Sequence, residues 1–264
     1  MAADRPRPVE SHETADPLGR AVLAFQRGAS GTLRYRDGAD TQDGRVREFY
    51  FRPPAEWDDE TIALLERLAD HEPILDVGCG AGQHALWWQE RGVDVTAIDA
   101  SPGAVAAAGE RGVEDLREMD MFDLEFDRNR FGAVHCVGTQ LGLGGSLAGI
   151  SDLLAEFARV TDGSALAVVD NYAPTRLDRE FFGYRPDPRE GVARRCFHFE
   201  FERETADGDR VREVGSTLQF LLCSPDRLRE ATIGTPWGLR SVHRDDDGAY
   251  YRAVLDKRGS GPNG

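Results

Sequence analysis

At 264 residues, 40% of them hydrophobic, the chain can build one large α/β core with an appended segment. No run approaches the roughly 18 apolar residues that a membrane span needs. Acidic residues (47) outnumber basic ones (32) for a net charge of -15, and Lys257 is the only lysine. An acidic surface repels nucleic-acid phosphates. The lysine-poor, carboxylate-rich composition also matches hydrated surfaces adapted to molar salt, where screening relieves self-repulsion. We favour this halophilic reading, which weakens acidity as a clue about partners. The N-terminal seventeen residues lack an apolar stretch, so a cytoplasmic protein with no signal peptide or anchor is expected. Cys79, Cys136, Cys196 and Cys223 are scattered with no CxxC pair; small buried residues are expected, and neither a disulfide framework nor a bound metal.

Residues 1–45 are rich in Arg, Asp, Gly and Pro without a sustained period, and read as a mobile segment gaining order near Tyr35. Residues 46–56, VREFYFRPPAE, form an aromatic approach to a domain that occupies 46–264. Asp58 or Asp59 can cap a helix carrying Ile62, Leu65 and Leu68. Ile74–Val77 is a short buried-strand pattern, followed by Gly78-Cys79-Gly80-Ala81-Gly82 and a helix from His84 towards Gly92. A second strand, Val93–Asp99, ends on an acid, and Ser101-Pro102 opens an alanine-rich helix. A brief third strand precedes Asp120, Phe131–Val137 is a fourth, and Ser164–Asp170 a fifth after a helix bearing Ile150, Leu153, Leu154, Phe157 and Val160. This alternation predicts a doubly wound, mostly parallel α/β sheet of Rossmann-like type. Residues 172–223 break the pattern: Phe197, Phe199 and Phe201 alternate along one run, and Leu218, Phe220 and Leu222 along another, a hairpin insertion of lid-like kind. Ser224-Pro225 opens a last helix before an antiparallel pair, Leu239–His243 and Tyr250–Leu255.

The chemistry concentrates at the strand ends. A glycine turn between strand and helix exposes backbone N–H groups and lets a ligand approach where a Cβ would block it. Dinucleotide folds use G-x-G-x-x-G there, but here the third glycine comes one residue early and Gln83 holds the position. Asp99 can accept both hydroxyls of a ribose. Asp120 can take an adenine amino group, with Met121 or Phe122 over the purine. Each acid alone is an ordinary surface charge; three features at successive strand ends on one sheet edge make a site.

ILDVGCGAG (74–82), Asp99, the Asp120 segment and the Phe131–Val137 strand together resemble the class I S-adenosylmethionine-dependent methyltransferases over residues 57–171. The resemblance implies S-adenosylmethionine as cofactor. It places the methionine part against Gly78, Cys79, Gly80 and Gly82, the ribose on Asp99 beside Ala100, and adenine near Asp120 and Met121. Asp76 would brace the turn or reach the cofactor's amino group through water, and Cys136, Val137 and Gly138 would line the pocket.

The acceptor side is less legible. The loop Gly138-Thr139-Gln140 lacks the Asn/Asp-Pro-Pro-aromatic motif of adenine amino methylation, and no cysteine has the Pro-Cys context of pyrimidine C5 methylation. His135 reads as a satisfied core histidine, and His84 as a helix residue near the cofactor. Methyl transfer needs alignment, plus a base when the acceptor carries a proton; no catalytic base is assigned. Gln140, Asn171 and Tyr172 could face the methyl group, with Tyr50 and Arg52 closing over it or simply packing there. A small-molecule acceptor is the leading expectation. An RNA or protein acceptor, a non-catalytic cofactor-binding module and a nucleotide-dependent oxidoreductase are the alternatives. Oligomeric state is not readable.

Overall fold

Short polar residues decide where the helices begin. Asp16, Asp58, Ser101, Ser146 and Ser224 each accept a backbone N–H three residues on, satisfying a donor that the first helical turn leaves without a partner. The computed structural model describes residues 7–8, 15–205, 207–245 and 248–257. In chain order these form β1 (Arg7–Pro8), α1 (Pro17–Gln26), β2 (Thr32–Asp37), β3 (Asp40–Asp43), α2 (Val46–Tyr50) and α3 (Asp59–Ala69). Then come β4 (Ile74–Val77), α4 (Gln83–Gln89), β5 (Val95–Asp99), α5 (Pro102–Arg111), β6 (Leu116–Glu118), β7 (Phe131–Cys136), α6 (Leu147–Val160) and β8 (Thr161–Tyr172). The last third carries β9 (Tyr184–Pro186), β10 (Val192–Glu204), β11 (Arg210–Val214), β12 (Leu218–Cys223), α7 (Pro225–Ala231), β13 (Trp237–Arg244) and β14 (Tyr250–Lys257).

The main sheet has the order β13-β14-β8-β7-β4-β5-β6. Strands β4 to β8 are parallel and β14 runs antiparallel to both β8 and β13. This is the expected doubly wound sheet with its antiparallel C-terminal pair. The strand order reverses between β4 and β7, and the carboxyl ends of the strands at such a switch point are where folds of this kind bind ligands. Two apolar layers cover the sheet. Leu65, Leu68 and Trp88 of α3 and α4 pack on one face, and Ile150, Leu154 and Phe157 of α6 on the other, all essentially solvent-free.

A second sheet stands beside the first. Its spine is β10, thirteen residues long, which pairs β12 and β9 along its first half and β11 and β2 along its second. The predicted Phe197–Phe199–Phe201 stripe is buried in it. The expectation of a mobile 1–45 segment is corrected over the described residues 15–45. Helix α1 packs on α5, and β2 with β3 extends the second sheet. The contacts that hold this segment are non-local, which is why no local period announces it. Asp16 receives both Gly19 N–H and Gly103 N–H, so one carboxylate caps two helices. A Cβ on Gly103 would lie 2.3 Å from the Gly19 carbonyl carbon, so glycine is what lets the helices approach. Cys79, Cys136 and Cys223 are buried as expected, whereas Cys196 is only partly so, because it lies on the outward face of β10.

Candidate active site

Gly78, Gly80 and Gly82 take φ of +68°, +57° and +72°, the left-handed region that a side chain resists. The turn bends back on β5: the Gly78 and Cys79 amides donate to Ile98 O at 2.9 and 3.0 Å, and Gly80 N–H donates to Asp99 Oδ2 at 2.9 Å. Asp99 Oδ1 accepts from Ser101 N–H at 2.9 Å. Burial pushes the Asp99 pKa up, and the two backbone donors oppose that shift. A fixed carboxylate at the end of β5, tied to the turn, is the geometry a vicinal diol would need. Ala100 beside it is exposed.

Beyond β6, Asp120 is exposed and its Oδ1 accepts from Phe122 N–H at 3.0 Å. Met121 is packed in the core, while Phe122 is exposed, so of the two it is Phe122 that offers a bare ring. Asp76 is buried at the end of β4 and holds His135 Nδ1 at 2.8 Å. His135 is thus a satisfied core histidine, and among the described residues Asp76 Oδ1 serves it rather than the glycine turn. Asp76, His84 and His135 each bring one ligand-type atom within 4.8 Å of the others. Burial, and His135 close by, lower the His84 pKa to about 3, so its ring is neutral.

Several acceptor-side candidates converge on the turn. A Cβ on Gly80 would lie 2.8 Å from Tyr50 Cδ1, and one on Gly78 would lie 2.8 Å from Gln140 Cδ. Burial, then the charges of Tyr35 and Asp99, hold the Tyr50 phenol well above its ordinary pKa. Arg52 is bound to the turn through its backbone, its N–H donating to Gln83 Oε1 at 3.2 Å. Val137 is partly buried and Gly138 exposed, at φ +88°. Tyr172 at the end of β8 packs at a tilt against Phe181 and Tyr250, with centroids 4.9 and 5.4 Å away. Asn171 is a correction. It is fully buried, its Nδ2 donates to Leu221 O at 3.1 Å and its Oδ1 accepts from Tyr172 N–H, so it joins β8 to β12. Strand alternation is the reason, since it turns Asp170 and Tyr172 to one face and Asn171 to the other.

A model of the methyltransferase domain family matches residues 74–163, the stretch that holds the turn and both acids. The chain carries a class I S-adenosylmethionine-dependent methyltransferase domain. Its fold is similar to that of an S-adenosylmethionine-dependent methyltransferase from Bacteroides fragilis, solved with S-adenosylhomocysteine. The TM-score is 0.70 at 22% identity, over 95% of this chain and 98% of that one. It is also similar to a sugar N-methyltransferase from Streptoalloteichus (TM-score 0.58, 19% identity, 83% of this chain and 96% of that one). A malonyl-[acyl-carrier protein] O-methyltransferase from Serratia marcescens is 48% identical over 40 residues, 15% of this chain and 16% of that enzyme. The match to that relative therefore spans well under two thirds of its length.

Three residues at this candidate site carried little sequence signal. Asp170 accepts from Gly138 N–H, Thr139 N–H and Tyr250 Oη at 2.8, 2.6 and 2.7 Å. It thereby holds a turn in which Thr139, a non-glycine residue, takes φ +64°. Burial raises the Asp170 pKa, and these three donors pull against it. An acid ending the apolar run Ala165–Val169 was the available hint. Tyr250 reaches the site from β14, 80 residues on. Gln83, read only as a missing glycine, also donates to Phe49 O at 3.1 Å and so ties the N-terminal segment to the turn. Among the described residues no helix is long and apolar enough to cross a membrane.

Proposed function

We propose that this methyltransferase transfers the methyl group of S-adenosylmethionine to a small molecule. The observation that carries the reading is the covering of the glycine turn: Tyr50 packs over Gly80 and Gln140 over Gly78. Beside Gln140 the second sheet packs closely, a Cβ on Gly142 lying 2.8 Å from Leu221 O and 3.2 Å from Phe220 Cβ, and such covering favours a small acceptor over a duplex or a protein surface. The sugar N-methyltransferase similarity supports a small acceptor of some kind.

The residues fit the cofactor. Three left-handed glycines with Cys79 between the first two form a bare backbone turn, Gly82 packed on Val113 and the other two covered only by the flexible side chains of Gln140 and Tyr50, and Asp99 and Ala100 flank it at the end of β5. We assign the methionine part to Gly78–Gly82, the ribose to Asp99, and adenine to Asp120 with Phe122 or the Met121 backbone. Val137 and Gly138 line the far side. The cofactor supplies an electrophilic methyl group on a sulfonium. The chain's part is alignment and exclusion of water. Asp170 fixes the Gly138–Thr139 turn and thereby Gln140, while the Tyr50 phenol, which burial keeps protonated, can donate to an acceptor heteroatom, with the Tyr172 ring as a wall.

Calorimetry with S-adenosylhomocysteine, followed by methyl-transfer assays on a metabolite extract, bulk RNA and a protein lysate, tests the reading. Cofactor binding with turnover confined to metabolites is expected. Robust methylation of RNA or protein with none on metabolites would overturn it.

A further inference from the structure

The aromatic stripe of β10 contains one charge. Ala193, Arg195, Phe197, Phe199 and Phe201 share a face by strand alternation, and all but Arg195 are apolar and buried. Arg195 lies between rings, its guanidinium carbon 4.8 Å from the centroids of Phe181 and Phe197 and 5.7 Å from Tyr35. Its Nε donates to Phe182 O at 3.1 Å. Other arginines of this sheet meet carboxylates: Arg36 and Arg212 meet Glu200, and Arg185 meets Asp37. Among the described residues Arg195 meets none.

A partly buried guanidinium held by rings and one backbone acceptor, with no counter-ion, keeps a positive charge that an anionic ligand can neutralise. Desolvation accordingly lowers its pKa, while the nearby phenols of Tyr172 and Tyr35 act the other way. Phe181, which the guanidinium faces, lies 4.9 Å from the ring of Tyr172 at the end of β8. Tyr172 in turn lies 5.4 Å from the Tyr250 ring, whose hydroxyl donates to Asp170, the residue that holds the Gly138–Thr139 turn. Arg195 therefore belongs to the ring cluster at the end of β8, on the acceptor side, with its Nε taken by Phe182 O and no carboxylate on its Nη groups among the described residues.

We propose that Arg195 is the anchor for a carboxylate on the methyl acceptor, so that the substrate class is a small carboxylic acid; this rests on the methyltransferase reading above. A single guanidinium neutralises one negative charge, its planar fork matches two carboxylate oxygens, and the flanking rings accept the acid's carbon skeleton. Neutralising a carboxylate lowers its nucleophilicity, so the anchored group and the methylated atom are separate.

The test uses the full chain, with and without S-adenosylhomocysteine, and pairs of ligands that differ only in charge: 4-hydroxybenzoate with 4-hydroxybenzamide, and succinate with succinamide. Calorimetry should show at least one acid bound roughly tenfold more tightly than its amide, the preference one charge-assisted pair gives. In Arg195→Gln that preference should vanish while S-adenosylhomocysteine affinity holds, and Arg195→Lys should restore part of it. An arginine acting only as a packing pillar would change stability without discriminating acid from amide. No acid bound, acids and amides bound alike, or a preference that survives in Arg195→Gln would each overturn the proposal. If Arg195→Gln does not fold, the wild-type and Arg195→Lys comparisons decide it. Failure to bind S-adenosylhomocysteine would instead count against the methyltransferase reading, and the ligand pairs on the unloaded protein would still decide the role of Arg195.

Discussion

Asp99 spends both oxygens on backbone donors, and each oxygen keeps a lone pair for a further donor. Asp99→Ala should remove the proposed ribose hydrogen bonds, each worth about 1.5–3 kcal/mol as charge-assisted contacts. Affinity for S-adenosylmethionine, read by calorimetry, should fall at least tenfold while the circular dichroism spectrum is kept; unchanged affinity would sink the assignment. His84 belongs to a different balance. Burial holds its folded pKa at about 3, below the ordinary value of 6.5, so the unfolded chain takes up a proton that the folded one refuses. Stability from this group is complete above about pH 6.5 and is lost as pH falls towards 3. His84→Phe, placed against the Trp57 and His135 rings, should lose less stability than wild type between pH 7.5 and pH 5 in urea titrations. Parallel losses in the two proteins would show that His84 does not carry the acid limb.

Helices α1 and α5 meet at Asp16, whose carboxylate caps both and also accepts from the Ser101 hydroxyl at 2.8 Å. Losing a cap costs about 1 kcal/mol, so Asp16→Ala should cost roughly 2 kcal/mol. For a chain of this size that lowers Tm by roughly 4–8 °C. A Tm within 1 °C of wild type, on a scale of roughly 4 °C, would reject the double cap. The elements of the main sheet were legible because each is short, apolar and bounded by its own punctuation: Ser101-Pro102, Ser146 and Ser224-Pro225 start helices where expected. Helix α1 and strands β2 and β3 were not. Their stabilising partners are Gly103 and the β10 strand, far away in sequence, and a window along the chain cannot register them. The same holds for the site. The turn and Asp99 were visible because one loop and one strand end carry them, whereas Asp170 and Tyr250 act on Gly138 only after β8 and β14 have paired.

For the molecule as a whole, a charge of -15 on 264 residues makes self-repulsion a term that salt can tune. Screening contracts to about 3 Å at 1 M salt, so Tm should rise as potassium chloride goes from low to molar concentration. A flat or falling Tm would reject the halophilic reading and restore acidity as a clue about partners. By itself the sequence determined the main sheet, its strand order class, the glycine turn and its acids, because local apolar period and local punctuation encode them. Tertiary structure decided what those elements face. It folded the N-terminal segment onto the glycine turn, turned Asn171 away and Asp170 inward by strand alternation, and set Arg195 among rings drawn from three separate stretches of chain. Those relations depend on which distant strands pair, and pairing is decided by burial of the whole core rather than by any one stretch of residues.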